Sequence, residues 1–193
     1  SNINLHPHAG SSLDAITNIT VAAGGNISTL DNGSTELYTG EIVIPGDFTV
    51  EAGATVDLDG LGYRYDRHPS DPMITHDYGQ GGSHGGEGGR SRSNEHNPPK
   101  VTYGSAIAPT NIGAGGRRYT SSSNPQGGGA IKIHAGGTVD IDGTISAGGL
   151  DGAHNLNGGG AGGSVWIIAT NLTGSGTIRA NGGEGTYNTG SSG

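Results

Sequence analysis

The sequence predicts an all-β fold, a β-solenoid in which short strands stack in successive rungs. Three observations support this prediction: short stretches with alternating apolar residues, glycine or asparagine after nearly every such stretch, and recurrence of the pattern along the chain. An amphipathic pattern with a 3.6-residue period does not last two turns anywhere. The best attempt, SSLDAITNI from Ser11, is short and rich in β-branched residues. We therefore expect almost no helix.

Three stretches of the chain line up without gaps across their strand portions. Each contains a short strand, a corner of small residues, a second short strand and a glycine stop. The last two begin 34 residues apart, which lies within the range of periods that solenoids show. A long insertion separates the first stretch from the second, so the repeat is irregular. The stretches are FTVEAGATVDLDGLG from Phe48, IKIHAGGTVDIDGTISAGG from Ile131 and VWIIATNLTGSGTIRANGG from Val165.

Alternation within the second stretch predicts the core. Successive side chains of a strand point to opposite faces, so residues two positions apart share a face. Glycines interrupt the pattern so often that each strand is only about 3–5 residues long, as in rungs rather than in a broad sheet. We expect the inward face to carry Ile131, Ile133, Val139, Ile141, Ile145 and Ala147.

The chain of 193 residues suits one folding unit. Residues 1–13, which include HPHAGSS, are predicted to form an extended N-terminal arm. Residues 14–193 are predicted to form a single glycine-rich β-solenoid domain. Within it, a long excursion at about 62–129 replaces the strand pattern. A structureless loop of that length is uncommon in a compact domain, so we expect the excursion to be an ordered layer or a functional segment.

Glycine supplies 41 residues, whereas Phe and Trp occur once each, which excludes a large aromatic core. Each ordered glycine costs roughly 0.5–1 kcal/mol relative to alanine. Two interpretations of the glycine tracts therefore stay open. They are flexible loops, or they are extended helices of the polyglycine II type, with three residues per turn, packed backbone against backbone. Pairs of glycines recur about every three residues in GGSHGGEGG from Gly81 and GGGAGG from Gly158.

The charge balance restricts the partners of the chain. The net charge is −8 and Lys plus Arg number only 9, so we expect neither a nucleic-acid partner nor an anionic-membrane anchor. The sequence contains no apolar stretch long enough to span a bilayer. Cysteine is absent, which excludes disulfides and thiolate metal sites. A start at Ser1 rather than Met favours a mature secreted chain, and we expect an extracellular or cell-surface location.

Three glycine-rich runs carry a resemblance to known proteins. They resemble the glycine-rich β-repeat segments of large secreted or surface structural and adhesive proteins of bacteria and archaea. They look less closely like the glycine-rich tips of phage tail-fibre adhesins. The resemblance covers about residues 40–185 and implies an extracellular β-rich structural or adhesive module, with no catalytic residues to carry over. The runs are YGSAIAPTNIGAGG, GGGAIKIHAGGTVDIDGTISAGG and GGGAGGSVWIIATNLTGSGTIRANGGEG.

The leading functional prediction is a non-catalytic, self-assembling structural subunit of a filament, tube or surface coat. Trp166 and Ile168 stand where the second repeat has Lys132 and His134, so the last strand is apolar on both faces. Strands of that kind are covered on both faces, here by the glycine tracts or by a neighbouring copy of the protein. The N-terminal arm is the other expected contact between subunits. The predicted assembly interface consists of Ile3, Leu5, Trp166 and Ile168.

A second hypothesis is an adhesin or carbohydrate-binding module that uses residues 63–118 and has surface glycans as its partner. Tyrosine and arginine alternate there, and these side chains suit contacts with sugars or proteins. They suit the capping of a solenoid end equally well. The candidate binding residues are Tyr63, Arg64, Tyr65, Arg67 and Tyr78.

Paired carboxylates suggest two further hypotheses. If VDLDG and VDIDG stack, their outward carboxylates form a ladder that suits calcium, a cation with oxygen ligands. The second aspartate of each pair also simply favours a turn before glycine. A polysaccharide-acting β-helix enzyme is the third functional alternative, but a flat ladder lacks the cleft that acid–base catalysis needs. We expect no enzyme activity and no cofactor except calcium. The candidate calcium ligands are Asp57, Asp59, Asp140 and Asp142.

Two weaker features complete the sequence analysis. Four histidines of the excursion, His68, His76, His84 and His96, lie near carboxylates, but they lack the tight spacing of a transition-metal site. Four N-x-S/T sequons permit N-glycosylation, although Ser and Thr are so common that roughly three such sequons arise by chance. The sequons begin at Asn18, Asn26, Asn32 and Asn171.

Overall fold

The structure, a computed structural model, describes residues 2–4, 16–70, 79–89, 101–118, 124–153 and 157–185. Within these ranges all regular structure is β, which confirms the predicted all-β class and the expected lack of helix. Accordingly, the described ranges contain no helix that could cross a membrane. The strands are β1 (Asn2–Asn4), β2 (Ile19–Val21), β3 (Asn26–Ser28), β4 (Gly40–Ile44), β5 (Phe48–Val50), β6 (Thr55–Asp57), β7 (Ala130–Ala135), β8 (Thr138–Ile141), β9 (Thr144–Ser146), β10 (Ser164–Ile168), β11 (Asn171–Thr173) and β12 (Thr177–Arg179).

The strands form three parallel sheets. The first sheet has the order β4-β7-β10, the second β2-β5-β8-β11, and the third β1-β3-β6-β9-β12. Consecutive strands lie in different sheets, and from β2 onward the chain passes through the second, third and first sheets in turn. Each group of three strands, such as β7–β9, therefore lies beside the preceding group, here β4–β6.

The predicted inward residues form the core. Ile131, Ile133, Val139, Ile141, Ile145 and Ala147 are all buried, as the alternation predicts. Their register partners in the preceding group, Ile42, Phe48 and Val56, are buried as well. All of these side chains belong to one apolar cluster that joins the three sheets. Each fully buried Ile, Val or Phe side chain contributes about 1.5–3 kcal/mol to folding.

The gapless alignment of the last two repeats is wrong by one residue after β10. Ile131 pairs with Val165, which is the predicted spacing of 34 residues. Val139, however, pairs with Leu172, so the spacing falls to 33 residues in the next strand. One residue is missing from the corner between β10 and β11 relative to the preceding group. A corner tolerates this deletion because it carries no side-chain alternation.

The gapless alignment of the first repeat is wrong by a whole strand. It places Phe48 opposite Ile131, whereas Phe48 pairs with Val139 in the second sheet and Val56 pairs with Ile145 in the third. The motifs VDLDG and VDIDG are therefore alike in sequence but lie in different sheets. Alternation with a period of two is common to every short strand, so it does not specify which sheet a strand joins.

Part of the predicted N-terminal arm is a strand of the same chain. Asn2–Asn4 pairs in register with Asn26–Ser28 and adds β1 to the third sheet. These three residues therefore do not extend away from the domain. The other residues of the predicted arm, 1 and 5–13, lie outside the described ranges.

Glycine-rich segments form an ordered layer beside the sheets. They contain many buried residues and almost no strand, and their backbone N–H groups donate to carbonyl oxygens of neighbouring segments. The sequence left open whether these tracts are loops or packed backbone, and here they are packed. We call this part the glycine layer; it consists of residues 60–67, 113–117, 125–129, 147–152 and 157–163.

Hydrogen bonds in the glycine layer recur every third residue. The N–H of Gly158 donates to the carbonyl of Arg117 at 2.9 Å. Three residues further on, the N–H of Ala161 donates to the carbonyl of Ala114 at 2.8 Å. The same two segments are thus joined by bonds spaced three residues apart on both sides.

Gly160 lies where no side chain fits. Its N–H donates to the carbonyl of Leu150 at 2.8 Å, and its carbonyl accepts from the N–H of Gly183 at 2.8 Å. A Cβ at Gly160 would overlap the carbonyl of Gln126. The backbone of one residue therefore meets three other segments, and glycine is required because of this close approach.

Candidate functional site

One end of the stack exposes side chains at core positions. β10, β11 and β12 are each the last strand of a sheet, and we call their shared edge the open end. Leu172 pairs with Val139 and Ile178 pairs with Ile145. Val139 and Ile145 are each 0% exposed, whereas Leu172 is 57% and Ile178 is 42% exposed. Apolar side chains that are covered in the preceding group therefore face solvent at the open end.

Among the described residues, the open end also lacks the usual protection of sheet edges. Edge strands present unpaired backbone N–H and C=O groups, and proteins commonly blunt them with charges, proline or a covering segment. The three strands contain one charged residue, Arg179, and it points back into the stack. Its Nε donates to the Ser146 hydroxyl at 2.7 Å, and its Nη2 lies 3.3 Å from the Asp59 carboxylate. The charge of Arg179 therefore joins strands β10–β12 to the preceding strands and does not protect the sheet edge.

The opposite edge, formed by β1, β2 and β4, is different, and we call it the closed end. Val21 of β2 and Ile42 and Ile44 of β4 are buried. The connection between β3 and β4 is held by Asn32, whose Oδ1 accepts from the N–H of Tyr38 at 2.6 Å. These three core positions therefore do not face solvent, in contrast to Leu172 and Ile178 at the open end.

The predicted assembly residues on β10 lie on the outer face of the first sheet. Trp166 and Ile168 are both half-buried. Trp166 pairs with Lys132, whose Nζ lies 5.0 Å from the centre of the indole ring, within the range of a cation–π contact. Lys132 also forms an ion pair with Glu41 at 2.8 Å. A lysine side chain thus contacts the Trp166 ring.

The other predicted assembly residues belong to the N-terminal segment. Ile3 pairs with Ile27 of the same chain in the third sheet. Leu5 lies outside the described ranges.

Sequence reasoning missed the residues that distinguish the open end. The gapless alignment shifts Leu172 and Ile178 by one position, which assigns them to the opposite strand face. A one-residue deletion after Thr170 aligns both with core positions. Both residues then lie on strands that are the last of their sheets among the described residues.

The predicted sugar-binding residues do not form one surface. Tyr63 is buried in a small cluster with Ile112 and Ala130, which contradicts its predicted role as a contact residue. Burial, and secondly the charge of Glu36, raise the pKa of Tyr63 above its ordinary value. Sequence pattern did not reveal this burial because Ile112 and Ala130 come from distant segments.

The remaining members of that set are partly covered or lie outside the described ranges. The guanidinium of Arg118 lies 3.5 Å from the centre of the Tyr65 ring and so occupies one face of it. Arg64 and Arg67 are half-buried. Tyr78 lies outside the described ranges.

The predicted calcium ladder is not formed, because its two motifs lie in different sheets. Asp57 accepts a hydrogen bond from the N–H of Asp59 at 3.1 Å. Asp59 accepts from the Ser146 hydroxyl and from the N–H of Gly148. Together with the Arg179 contact, these bonds give Asp59 a role in joining neighbouring groups of strands.

The second pair of carboxylates also bonds to the next group of strands. Asp140 accepts from the Thr173 hydroxyl at 2.8 Å. Asp142 accepts from the N–H and the hydroxyl of Ser175 at 2.9 and 3.0 Å. The backbone bond first and the hydroxyl bond second lower the pKa of Asp142. Within the described ranges, no three His, Asp or Glu side chains are grouped to hold a metal ion.

The histidines and the sequons have separate environments. His68 and His84 flank the ring of Tyr103, and His76 and His96 lie outside the described ranges. Asn32 is buried, and its Nδ2 donates to the carbonyls of Tyr38 and Leu61, so a glycan there would displace both bonds. Of the other sequon asparagines, Asn18 and Asn171 are exposed and Asn26 is half-buried.

Comparison of the chain with protein-family models, with curated proteins and with solved structures gave no match.

Proposed function

We propose that this protein is a non-catalytic structural subunit that stacks end to end into filaments outside the cell or at its surface. The three sheets are the sides of a β-solenoid, because the chain passes through them in turn and every neighbouring pair of strands is parallel. The glycine layer is a bundle of polyglycine II-type helices, because a spacing of three residues between hydrogen bonds matches three residues per turn.

The observation that carries the proposal is the exposure of core positions at the open end. Leu172 and Ile178 occupy the register of fully buried residues, but no strand of the described chain lies beyond them. Covering each of them contributes roughly 1 kcal/mol, because about half of each side chain is already shielded. Three unpaired strand edges at the same place add backbone hydrogen bonds to any partner that supplies strands.

A second copy supplies such strands in the correct order. The first sheet ends in β10 at the open end and β4 at the closed end, the second in β11 and β2, and the third in β12 and β1. Stacking a closed end on an open end can therefore continue the second and third sheets, with β2 beside β11, β1 beside β12 and all strands parallel. Such a contact joins two different surfaces, so it repeats without closing and produces a filament.

Sedimentation velocity over a range of protein concentrations, combined with negative-stain electron microscopy, tests the proposal. We expect oligomers that grow with concentration and appear as filaments of constant width. Leu172→Asp should abolish them, because it places a charge where an apolar contact forms. Val101→Asp is the matched control, since Val101 is 69% exposed and belongs to none of the strands at either end.

Two outcomes contradict the proposal. A chain that stays monomeric at every concentration does not self-associate, so it cannot form the proposed filament. A discrete dimer sensitive to Leu172→Asp would indicate that two open ends meet face to face, which produces a closed pair instead of a filament.

A further inference from the structure

A cavity of ≈ 590 Å³ lies between two loops and the glycine layer. Residues 82–87 form one wall, residues 102–109 form the other, and residues 161–164 form the floor. Ala180 and Gly182 complete the lining. The volume lies within the range of about 300–1,000 Å³ that is typical of ligand sites.

The two walls are fixed to one another by Tyr103. Its ring lies between two imidazoles, with centroids 5.0 Å from His68 and 4.7 Å from His84. Its hydroxyl donates to the carbonyl of Ile112 at 2.6 Å, and its N–H donates to the carbonyl of His84 at 3.0 Å. Burial, with smaller contributions from Tyr63 and Glu36, raises the pKa of Tyr103, so the phenol stays protonated. The cavity is therefore preformed.

His84 presents an unused acceptor at this cavity. Its Nδ1 lies 2.8 Å from the carbonyl of Gly162, and because a carbonyl only accepts, Nδ1 carries the proton. Nε2 of the neutral ring is then an acceptor, and none of the hydrogen bonds of the described residues reaches it. The side chain is only 8% exposed. Nε2 is accessible from the cavity, since it is not among the buried atoms that lack a partner, so a ligand in the cavity can donate a hydrogen bond to it.

Gly104 keeps the approach to that acceptor open. Its φ is +88°, a conformation that glycine adopts at little cost. A Cβ at this position would lie 2.8 Å from Nε2 of His84. Both requirements make residue 104 a glycine.

We infer that this cavity binds a neutral carbohydrate. Among the described residues that line it there is no Lys or Arg, and Glu87 is the one charged side chain, which favours a neutral ligand over an anion. His84 Nε2 and the Glu87 carboxylate accept hydrogen bonds from sugar hydroxyls. Ser105 accepts from the N–H of Ala108 at 3.1 Å, which leaves its hydroxyl proton for a ligand. Tyr103 also lines the cavity and adds apolar surface to it. The inference is independent of filament formation.

Isothermal titration calorimetry with glucose, galactose, mannose and their linear tetrasaccharides tests the inference. We expect saturable binding of at least one of these neutral sugars. His84→Asn should weaken it about threefold to tenfold, the equivalent of one hydrogen bond. The asparagine amide keeps a donor near the position of Nδ1 for Gly162, but it removes Nε2.

Two further variants complete the test. His134→Asn is the matched control, because His134 is exposed on β7 and is not among the residues that line the cavity. The affinity of this variant for the sugar should equal that of the unmodified protein. Glu87→Ala should also weaken binding, and it decides the matter if circular dichroism shows that His84→Asn is unfolded, because Glu87 is exposed.

Three results overturn the inference. The first is that no neutral sugar binds. The second is that only sulfated, sialylated or amino sugars bind. The third is that the control variant His134→Asn loses as much affinity as the test variants His84→Asn and Glu87→Ala.

Discussion

The closed end and the open end are edges of the same three parallel sheets, and they differ in what lies over their inward side chains. At the closed end Ile42 and Ile44 are buried although β4 is an edge strand. At the open end Leu172 and Ile178 are exposed although they continue the same core register. A strand at the edge of a stack is thus not exposed by its position alone. Its exposure depends on whether another segment of chain covers it.

The difference in burial between the interior of the stack and the open end can be tested most directly at Ile145 and Ile178, which are register partners in β9 and β12. Ile145→Ala should lower the free energy of unfolding by about 2–5 kcal/mol, because it leaves a cavity in a packed core. Ile178→Ala should lower it by less than about 1 kcal/mol in the monomer, because its side chain is already half in solvent. Urea unfolding of dilute protein measures both. Equal losses would show that the open end is covered in solution.

The closed end can be tested at Asn32, which holds the connection that leads into β4. Asn32→Ala leaves the carbonyl of Leu61 and the N–H groups of Leu37 and Tyr38 without their Asn32 partner. We expect a loss of about 1–3 kcal/mol in the free energy of unfolding. Asn171→Ala at the open end is the control, because Asn171 is exposed. A similar loss in both variants would remove the contrast between the ends.

The smallest expected effect concerns the carboxylate of Asp142, which attaches the turn after β11 to the preceding group. Its pKa is lowered in the folded chain, chiefly by the N–H of Ser175 and then by the Ser175 hydroxyl. A group with a lowered pKa stabilises the fold above its unfolded pKa and loses that contribution as the pH falls through the folded pKa. Asp142→Asn should therefore make thermal stability slightly less sensitive to acid.

The melting temperature, measured from neutral pH to below the ordinary range of carboxyl groups, tests this prediction. Ser175→Ala removes one of the two bonds and should reproduce part of the effect. An Asp142→Asn variant with the same acid sensitivity as the unmodified protein contradicts the assignment of these bonds.

Local patterns predicted those parts of the molecule that depend on neighbours in sequence. Alternation placed Ile131, Ile133 and Val139 in the core because it is a property of single strands. It did not assign Phe48 to the second sheet, because sheet membership depends on the length of the corners. It did not reveal that Tyr63 is buried either, since the residues around it lie far away in sequence. Sequence pattern also did not identify Nε2 of His84 as an acceptor, because this assignment depends on the contact between Nδ1 and the distant carbonyl of Gly162.

The glycine layer has a consequence for how the protein responds to temperature. Its contacts join peptide groups, so its unfolding exposes polar backbone and little hydrocarbon. Exposed apolar surface raises the heat capacity of the unfolded chain and exposed polar surface lowers it, with an ordinary balance of about 12–15 cal/mol/K per residue. The heat-capacity change per residue on unfolding of the glycine layer should therefore be smaller than this. A small heat-capacity change flattens the dependence of stability on temperature. The fold should therefore lose little of its stability on cooling, because much of it does not depend on the hydrophobic effect.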